Sequence, residues 1–297
     1  MHPVPALISR FIQRSTLCLS LAIPFIAVPL ASQAQTGLES LDAGLRADVA
    51  LVVDLEAGAT VYEKNSDHLR PIASITKLMA ALVVVESGLP MDEVLTITAD
   101  DIDRMRHSRS RLAVGTRLTR GEMLHLSLMS SENRAANALG RHHPGGMPAF
   151  VRAMNDKARA LGMRHSRFVE PTGLSSDNVA TSYDLVKLMK AANNHPLIHR
   201  YATDDTEVFK VGRGRQLTYN NTNRLVRRDD WDIRISKTGF INEAGECLVM
   251  LTEINGRDHA IVLLNATERY SRVRDAMRIR KIVEYTGRNL AMANNGS

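Results

Sequence analysis

Cysteine and aromatic residues are scarce in this chain of 297 residues, which holds two cysteines and 4% aromatic residues. Cys18 lies in an apolar N-terminal stretch, so Cys247 is the one thiol of the remaining sequence. An intrachain disulfide is therefore excluded, and stability must come from a hydrophobic core. The shortage of aromatic residues also argues against nucleic-acid binding, which commonly uses aromatic stacking.

Long hydrophobic runs are also missing, apart from one short run near the N-terminus, and the mean hydropathy is −0.16. Two arginines precede this apolar run, residues 17–30, and the small residues of ASQAQ follow it. The run is shorter than the roughly 20 residues of a membrane-spanning helix. This order is typical of a secretory signal peptide, predicted at residues 1–34 with cleavage near Ala34. An uncleaved N-terminal anchor is the alternative.

Charge is moderately positive. Removal of Arg10 and Arg14 with the signal peptide lowers the formal net charge from +6 to +4. This excess suits an anionic partner such as a wall polymer or an acidic peptide, although solubility alone would also explain it. The basic segment RMRHSRSR, residues 104–111, is expected to form a solvated loop, with contacts to acidic peptides as the alternative.

The order of strand and helix patterns predicts a single α/β (α+β) domain. Residues 49–54 and 60–64 indicate one β-hairpin, and residues 247–254 and 259–266 indicate another across NGRD. Helical patterns fill the middle of the chain, and an amphipathic helix is expected from Ser271 to about residue 285. Strands at both ends predict an antiparallel sheet beside a mostly helical lobe. The domain is predicted at residues 35–290, followed by a polar tail at 291–297.

The first candidate site is SITK, at the start of a predicted helix that Ser74 can cap. Ser74 and Lys77 are three residues apart and therefore share one helix face. A serine hydroxyl needs an adjacent base, and a lysine can be that base if burial or a nearby positive charge lowers its pKa. A capping serine with a solvated lysine is the alternative, and SITK alone does not decide between the two.

Two later motifs supply further groups that peptide acyl transfer needs. SEN offers the Ser131 hydroxyl to relay a proton and the Asn133 amide to hold a substrate backbone. KTG lies on a predicted strand, where Lys237 offers a positive charge and Thr238 a hydroxyl for a carboxylate. Gly239 removes a side chain where a peptide would lie against the strand edge. Helix caps and a strand end are the structural alternatives, and SDN at residues 176–178 competes with SEN.

In this order the motifs match the signature of penicillin-binding proteins and class A β-lactamases. The sequence resembles the low-molecular-mass D-alanyl-D-alanine carboxypeptidase and endopeptidase family of serine D,D-peptidases. The resemblance covers essentially the whole predicted domain and includes PIASITKLM, LMSSENRAAN, RFVEPTGL, NTNRLV and SKTGF. It selects Ser131 over Ser176. It implies a β-lactamase/transpeptidase-like fold, with a five-stranded antiparallel sheet flanked by helices, an α-helical lobe, and the active site between them.

The resemblance also implies roles for individual residues. Ser74 would be the acylated nucleophile, Lys77 its base and Ser131 the proton shuttle, with the backbone N–H groups of Ser74 and Phe240 as the oxyanion hole. We expect Lys77 to be buried with a lowered pKa, and Lys237 to be charged and not buried. The residues expected to bind substrate are Asn133, Lys237, Thr238, Gly239 and Phe240.

The same resemblance implies partners and location. The substrate would be peptidoglycan peptide stems, and β-lactam antibiotics would be covalent inhibitors. No metal, cofactor or nucleic acid is expected. The mature protein would be periplasmic, with no stable membrane anchor after signal cleavage.

Several alternatives within this resemblance stay open. The chain ends without the C-terminal β-domain and anchor helix of many carboxypeptidases, which favours an endopeptidase that cleaves D-alanyl–diaminopimelate cross-links. A D-alanyl-D-alanine carboxypeptidase, a serine β-lactamase and a non-catalytic penicillin-binding sensor are the alternatives. Glu170 could serve a β-lactamase, but it lacks the Leu-Asn that follows the class A glutamate and is expected to be a surface loop residue. Ile241 stands where a threonine is common in the family.

Overall fold

The computed structural model describes residues 41–212, 214–268 and 271–295. The predicted signal peptide, its cleavage site and Cys18 lie outside these residues. Within the described ranges, no helix combines the length and the apolar character that a membrane crossing requires.

The strands confirm the predicted sheet at both ends of the domain. In chain order they are β1 (Ala47–Asp54), β2 (Ala59–Lys64), β3 (Arg70–Pro71), β4 (Val94–Thr96), β5 (Arg117–Thr119), β6 (Val179–Ala180), β7 (Thr206–Lys210), β8 (Gln216–Asn220), β9 (Asp232–Ile241), β10 (Gly245–Ile254) and β11 (Arg257–Ala266). The central sheet has the order β2-β1-β11-β10-β9, and every neighbouring pair is antiparallel. The strand that carries KTG, β9, is therefore an edge strand.

The helices fill the segment between the two groups of strands and cover the C-terminal end. They are α1 (Thr76–Glu86), α2 (Arg120–Met129), α3 (Asn133–Arg141), α4 (Gly146–Ala160), α5 (Ser182–Asn193), α6 (Pro196–Thr203) and α7 (Ser271–Asn295). Helix α7 is longer than predicted and continues into the segment expected as a polar tail. The sequence pattern predicts a helix over residues 181–193 with Thr181 or Ser182 as its cap, and in the structure Thr181 caps α5 by accepting a hydrogen bond from the Asp184 N–H.

The β10–β11 hairpin shows how local sequence sets the register of the sheet. Asn255 and Gly256 form the two-residue turn, with φ of +56° and +74°. These left-handed angles suit an Asn-Gly pair and a type I′ turn, whose twist matches the flanking strands. The turn is tighter than the predicted NGRD connection: β10 ends at Ile254 as predicted, and β11 begins at Arg257, two residues earlier than predicted.

Both faces of the sheet are buried, and alternation along β11 divides its side chains between two cores. Val262 and Leu264 pack in the core that contains α1 and the helical lobe, whereas Ile261 and Leu263 pack in the core under α7. Helix α1 is enclosed by the first core, and every residue from Thr76 to Val84 is buried. A lysine in this helix must be hydrogen-bonded and shifted toward its neutral form.

Candidate active site

Ser74 lies in a 3-10 turn, Ala73–Ile75, immediately before α1. The prediction that Ser74 caps the helix is wrong, because α1 begins at Thr76 and its N-cap Ile75 makes no side-chain cap hydrogen bond. The Ser74 hydroxyl instead accepts a hydrogen bond from Lys77 Nζ at 3.0 Å. Ala73, directly before it, has a φ of +45°, a left-handed conformation that is unfavourable for a residue with a Cβ atom.

Two glycines from distant segments enclose this turn. A Cβ atom on Gly173 would lie 1.9 Å from the Ala73 carbonyl oxygen, and one on Gly239 would lie 2.9 Å from the Ser74 nitrogen. Both segments approach too closely for any side chain. Gly239 was predicted to make room for a substrate; in the structure it makes room for the backbone of Ser74.

Lys77 is fully buried beneath the cleft and has three acceptors. Its Nζ donates to Ser74 Oγ at 3.0 Å, to Asn133 Oδ1 at 2.7 Å and to the Thr172 carbonyl at 2.5 Å. Burial lowers the pKa of Lys77 to about 8, although the negative charges of Glu170 and Glu132 partly oppose this shift. The expectation of a buried Lys77 with a lowered pKa is confirmed. At neutral pH roughly a tenth of the molecules carry it as a neutral amine able to accept a proton.

Lys237 does not match its prediction. Its side chain is 1% exposed, and its Nζ donates to Ser131 Oγ at 2.9 Å and to the Thr238 carbonyl at 2.9 Å. Burial lowers its pKa well below the usual value, and the charges of Lys77 and Arg272 lower it further. The expectation that Lys237 is not buried and keeps its usual pKa is therefore wrong, because the helical lobe at Ser131 covers this part of β9.

Asn133 connects Lys77 with the basic loop. Its Oδ1 accepts from Lys77, and its Nδ2 donates to Ser108 Oγ at 2.9 Å. On the opposite wall, the Thr238 and Thr222 hydroxyl oxygens lie 2.6 Å apart. Both pairs present polar groups to the same opening, from the lobe on one side and the sheet on the other.

The predicted site residues converge on one cleft between the sheet and the helical lobe. The cleft has a volume of about 670 Å³. Lys77 and Lys237 lie beneath it, and the predicted residues that line it are Ser74, Ser131, Asn133, Thr238, Gly239 and Phe240. In the described part of the chain, no group of His, Cys, Asp and Glu is arranged to hold a metal ion.

Sequence reasoning missed Arg272, which reaches the cleft from α7. Its Nη1 donates to the Gly239 carbonyl at 3.3 Å and is paired with Glu246, and its side chain lines the cleft. No local motif marks this arginine among the other arginines of α7. Thr222 was also missed, although it lies in NTNRLV, one of the stretches that carried the resemblance.

Glu170 lies in a loop at the surface, as predicted, but it is half-buried and its carboxylate is bonded within that loop. Its Oε2 accepts from the Thr172 N–H at 2.6 Å, and its Oε1 accepts from the N–H groups of Gly173 at 2.7 Å and Ser175 at 3.3 Å. Both carboxylate oxygens thus hold the EPTGL loop together. This loop in turn supplies the Thr172 carbonyl to Lys77.

The amino-acid sequence is similar to those of a known family of peptidases. Residues 35–268 match the family described as D-alanyl-D-alanine carboxypeptidase. A D-alanyl-D-alanine endopeptidase of Pseudomonas aeruginosa is 45% identical over 278 residues, which cover 93% of this chain and 89% of that protein. An Escherichia coli protein of the same name is 44% identical over 270 residues, covering 91% and 87% of the two chains.

Solved structures show the same fold. The crystal structure of a Streptomyces DD-transpeptidase aligns with a TM-score of 0.74 at 27% identity, covering 81% of this chain and 97% of that one. A penicillin-binding protein of Listeria monocytogenes in a cefotaxime-bound form aligns with a TM-score of 0.68 at 29% identity, covering 80% and 97%.

Proposed function

The chain belongs to the D-alanyl-D-alanine carboxypeptidase family and is a serine D,D-peptidase of peptidoglycan, and on this premise we propose that it is an endopeptidase that cleaves D-alanyl–diaminopimelate cross-links. The observation that carries the serine-peptidase chemistry is the 3.0 Å hydrogen bond between Lys77 Nζ and Ser74 Oγ at the base of an open cleft. Two relatives at 44–45% identity are named endopeptidases, which supports the cross-link as substrate. Carboxypeptidase action is the second candidate, because the family carries that description.

The proposed acylation begins at Ser74. Its Oγ bonds to the carbonyl carbon of D-alanine while its proton passes to Lys77 Nζ. The backbone N–H groups of Ser74 and Phe240 stabilise the oxyanion, and the close approach of Gly239 to the Ser74 nitrogen supports this pairing. The C–N bond then breaks as Ser131 gives its hydroxyl proton to the leaving amine and takes the proton held by Lys77. Water hydrolyses the ester and restores Ser74.

The leaving group of this substrate carries a carboxylate next to the scissile nitrogen. We propose that Thr238 and Lys237 bind it, as the sequence indicated, and that Arg272 adds a second positive charge. The pKa of Lys237 is lowered when no substrate is bound. The carboxylate of an arriving substrate would favour the protonated form of this lysine. Asn133 would hold the backbone of the acyl part from the opposite wall.

The rate of Ser74 acylation is expected to rise with pH and level off above about pH 8, near the pKa of Lys77. The neutral amine is the base, so below that pH the rate should fall about tenfold per unit. The measurement is covalent labelling by a fluorescent penicillin from about pH 6 to pH 10, with circular dichroism as a control for folding. A rate that is already constant from about pH 7 would show that the base does not have the pKa of about 8 assigned to Lys77.

Digestion of purified peptidoglycan tests the proposed specificity. The wild-type protein should remove cross-linked dimers from the products seen by mass spectrometry, and Ser74→Ala should leave them intact. Loss of only terminal D-alanine from pentapeptides would instead identify a carboxypeptidase. Rapid turnover of benzylpenicillin, in place of a long-lived acyl-enzyme, would indicate a β-lactamase.

The proposed surroundings of the enzyme follow from its substrate. Peptidoglycan lies outside the cytoplasm, which supports export by the signal peptide predicted at residues 1–34 and residence in the periplasm. The cefotaxime-bound relative supports β-lactam antibiotics as covalent inhibitors. We propose residues 35–290 as the catalytic domain.

A further inference from the structure

An ion pair joins the two walls of the catalytic cleft at one end. Arg106, in the basic loop of the helical side, lines the cleft, and its Nη2 lies 2.9 Å from Glu243 Oε2. Glu243 lies in the turn that follows β9, next to Asn242, which also lines the cleft. Neither side chain takes part in the mechanism proposed above.

The order of residues along β9 places this ion pair on the acyl side of the scissile bond. The carboxylate of the leaving group is assigned to Thr238, and Gly239 lies against the Ser74 nitrogen. The acyl part of an extended substrate must therefore continue past Phe240 toward Asn242. Since a strand advances about 3.3 Å per residue, the residue before the reacting D-alanine lies within side-chain reach of the turn.

The loop that carries Arg106 is fixed by its own hydrogen bonds. Asp103 Oδ1 accepts from the N–H groups of Met105 at 2.8 Å and Arg106 at 3.0 Å, and Asp103 Oδ2 accepts from the Ser108 N–H at 2.8 Å. Arg106 Nε also donates to the Leu174 carbonyl. The guanidinium is thus held in place before any ligand arrives, which limits the entropy that binding would cost.

A ligand can replace this ion pair with new ion pairs at little cost in stability. The side chains of Arg106 and Glu243 are 25% and 47% exposed, and ion pairs in contact with water contribute little net stability. A ligand group with an ammonium and a carboxylate on one carbon offers each partner a new opposite charge. Met105 and Phe240, which line the cleft and are 60% and 56% exposed, offer apolar surface for an aliphatic spacer.

We propose that Arg106 and Glu243 form a subsite for a zwitterionic side chain on the residue that precedes the reacting D-alanine. The carboxylate of that side chain pairs with Arg106, and its ammonium pairs with Glu243. Diaminopimelate has such an end, lysine offers the ammonium alone, and norleucine offers neither charge. The inference rests on the proposed function, because it assigns the acyl side of the same substrate.

The test uses three synthetic peptides with the same D-alanyl–diaminopimelate scissile bond and either diaminopimelate, lysine or norleucine before the D-alanine. For the wild-type protein, kcat/KM should be about tenfold higher with diaminopimelate than with norleucine, the scale of one or two charge-assisted hydrogen bonds. Glu243→Gln should reduce the lysine-to-norleucine ratio toward one. Arg106→Gln should reduce the diaminopimelate-to-lysine ratio in the same way.

The matched control is Asp230→Asn, which removes a partner of Arg228 in an exposed ion pair and does not line the cleft. Its ratios should equal those of the wild type. Melting temperatures identify any variant that is misfolded, and Glu243→Gln keeps the test valid if Arg106→Gln disturbs the loop. Equal kcat/KM for the three peptides, or unchanged ratios in both variants, would overturn the subsite and leave the proposed function standing. Failure to cleave any peptide would count against the proposed function itself.

Discussion

Lys77→Met is expected to slow acylation of Ser74 by about a thousandfold or more, within the range of a lost general base. The amine is the group hydrogen-bonded to Ser74 Oγ, and burial gives it a pKa of about 8. Methionine is unbranched and apolar, so it suits a helix that is buried from Thr76 to Val84. The nucleophile would remain in place without a group to accept its proton.

Folding should survive this change. The substitution leaves Asn133 Oδ1 and the Thr172 carbonyl without their donor, at a cost of about 1–3 kcal/mol for an unsatisfied buried group. Part of that cost is offset, because the variant no longer has to bury the amine of Lys77 away from water. We expect a cooperative unfolding transition with a melting temperature within roughly 10 °C of the wild type.

Time courses with a fluorescent penicillin measure the effect directly. The matched control is Lys190→Met, an exposed lysine on α5, which should acylate at the wild-type rate. If Lys77→Met acylates at a rate close to the wild type, Lys77 is not the base. Lys237, which is also buried with a lowered pKa, would then have to be tested in its place.

Local sequence predicted the features that local interactions determine. The Asn255-Gly256 turn specifies its hairpin because few residues adopt left-handed angles at low cost. The cap of α5 was predicted at Thr181 or Ser182, because a cap bonds to a backbone group only two or three residues away. The three motifs predicted one cleft because acyl transfer needs a nucleophile, a base and a carboxylate site within bonding distance.

Features set by distant segments were not predictable in the same way. Ser74 looked like a helix cap. In the structure the segments at Gly173 and Gly239 pack closely against its turn, and its hydroxyl accepts a hydrogen bond from Lys77. Lys237 looked exposed at a strand end, but the lobe covers it through Ser131. Arg272 reaches the cleft only because α7 packs across β10 and β11. Serine, lysine and arginine occur at many surface positions, so the sequence around these three residues does not predict which of them will be buried or reach the cleft.

Gly173→Ala is the second large effect that we expect. The added Cβ atom would lie 1.9 Å from the Ala73 carbonyl oxygen and 2.7 Å from the Ser74 nitrogen, and both are backbone atoms. A flexible side chain could turn away, whereas this contact forces the EPTGL loop or the Ser74 turn to move. Displacement of a reacting group by about 1 Å can cost a hundredfold in rate, so acylation should fall by at least that factor.

The φ of Gly173 is +81°, so alanine is strained there even without the contact. Gly58→Ala separates the two effects. Gly58 has a φ of +65°, and no described neighbour lies within 4 Å of its added Cβ atom. It should lower the melting temperature by about 2–4 °C, the effect of roughly 1 kcal/mol in a domain of this size. Its acylation rate should equal the wild-type rate.

Comparison of the two alanine variants then tests what shapes the nucleophile turn. Thermal unfolding and penicillin labelling should show Gly173→Ala losing stability by more than twice as much as Gly58→Ala, since overpacking adds about 1–3 kcal/mol to the strain. If Gly173→Ala instead acylates like the wild type, the EPTGL loop moves away without disturbing Ser74. The left-handed conformation of Ala73 would then depend on Gly239 and the sheet alone. The loop that Glu170 holds together would not be required for acylation of Ser74.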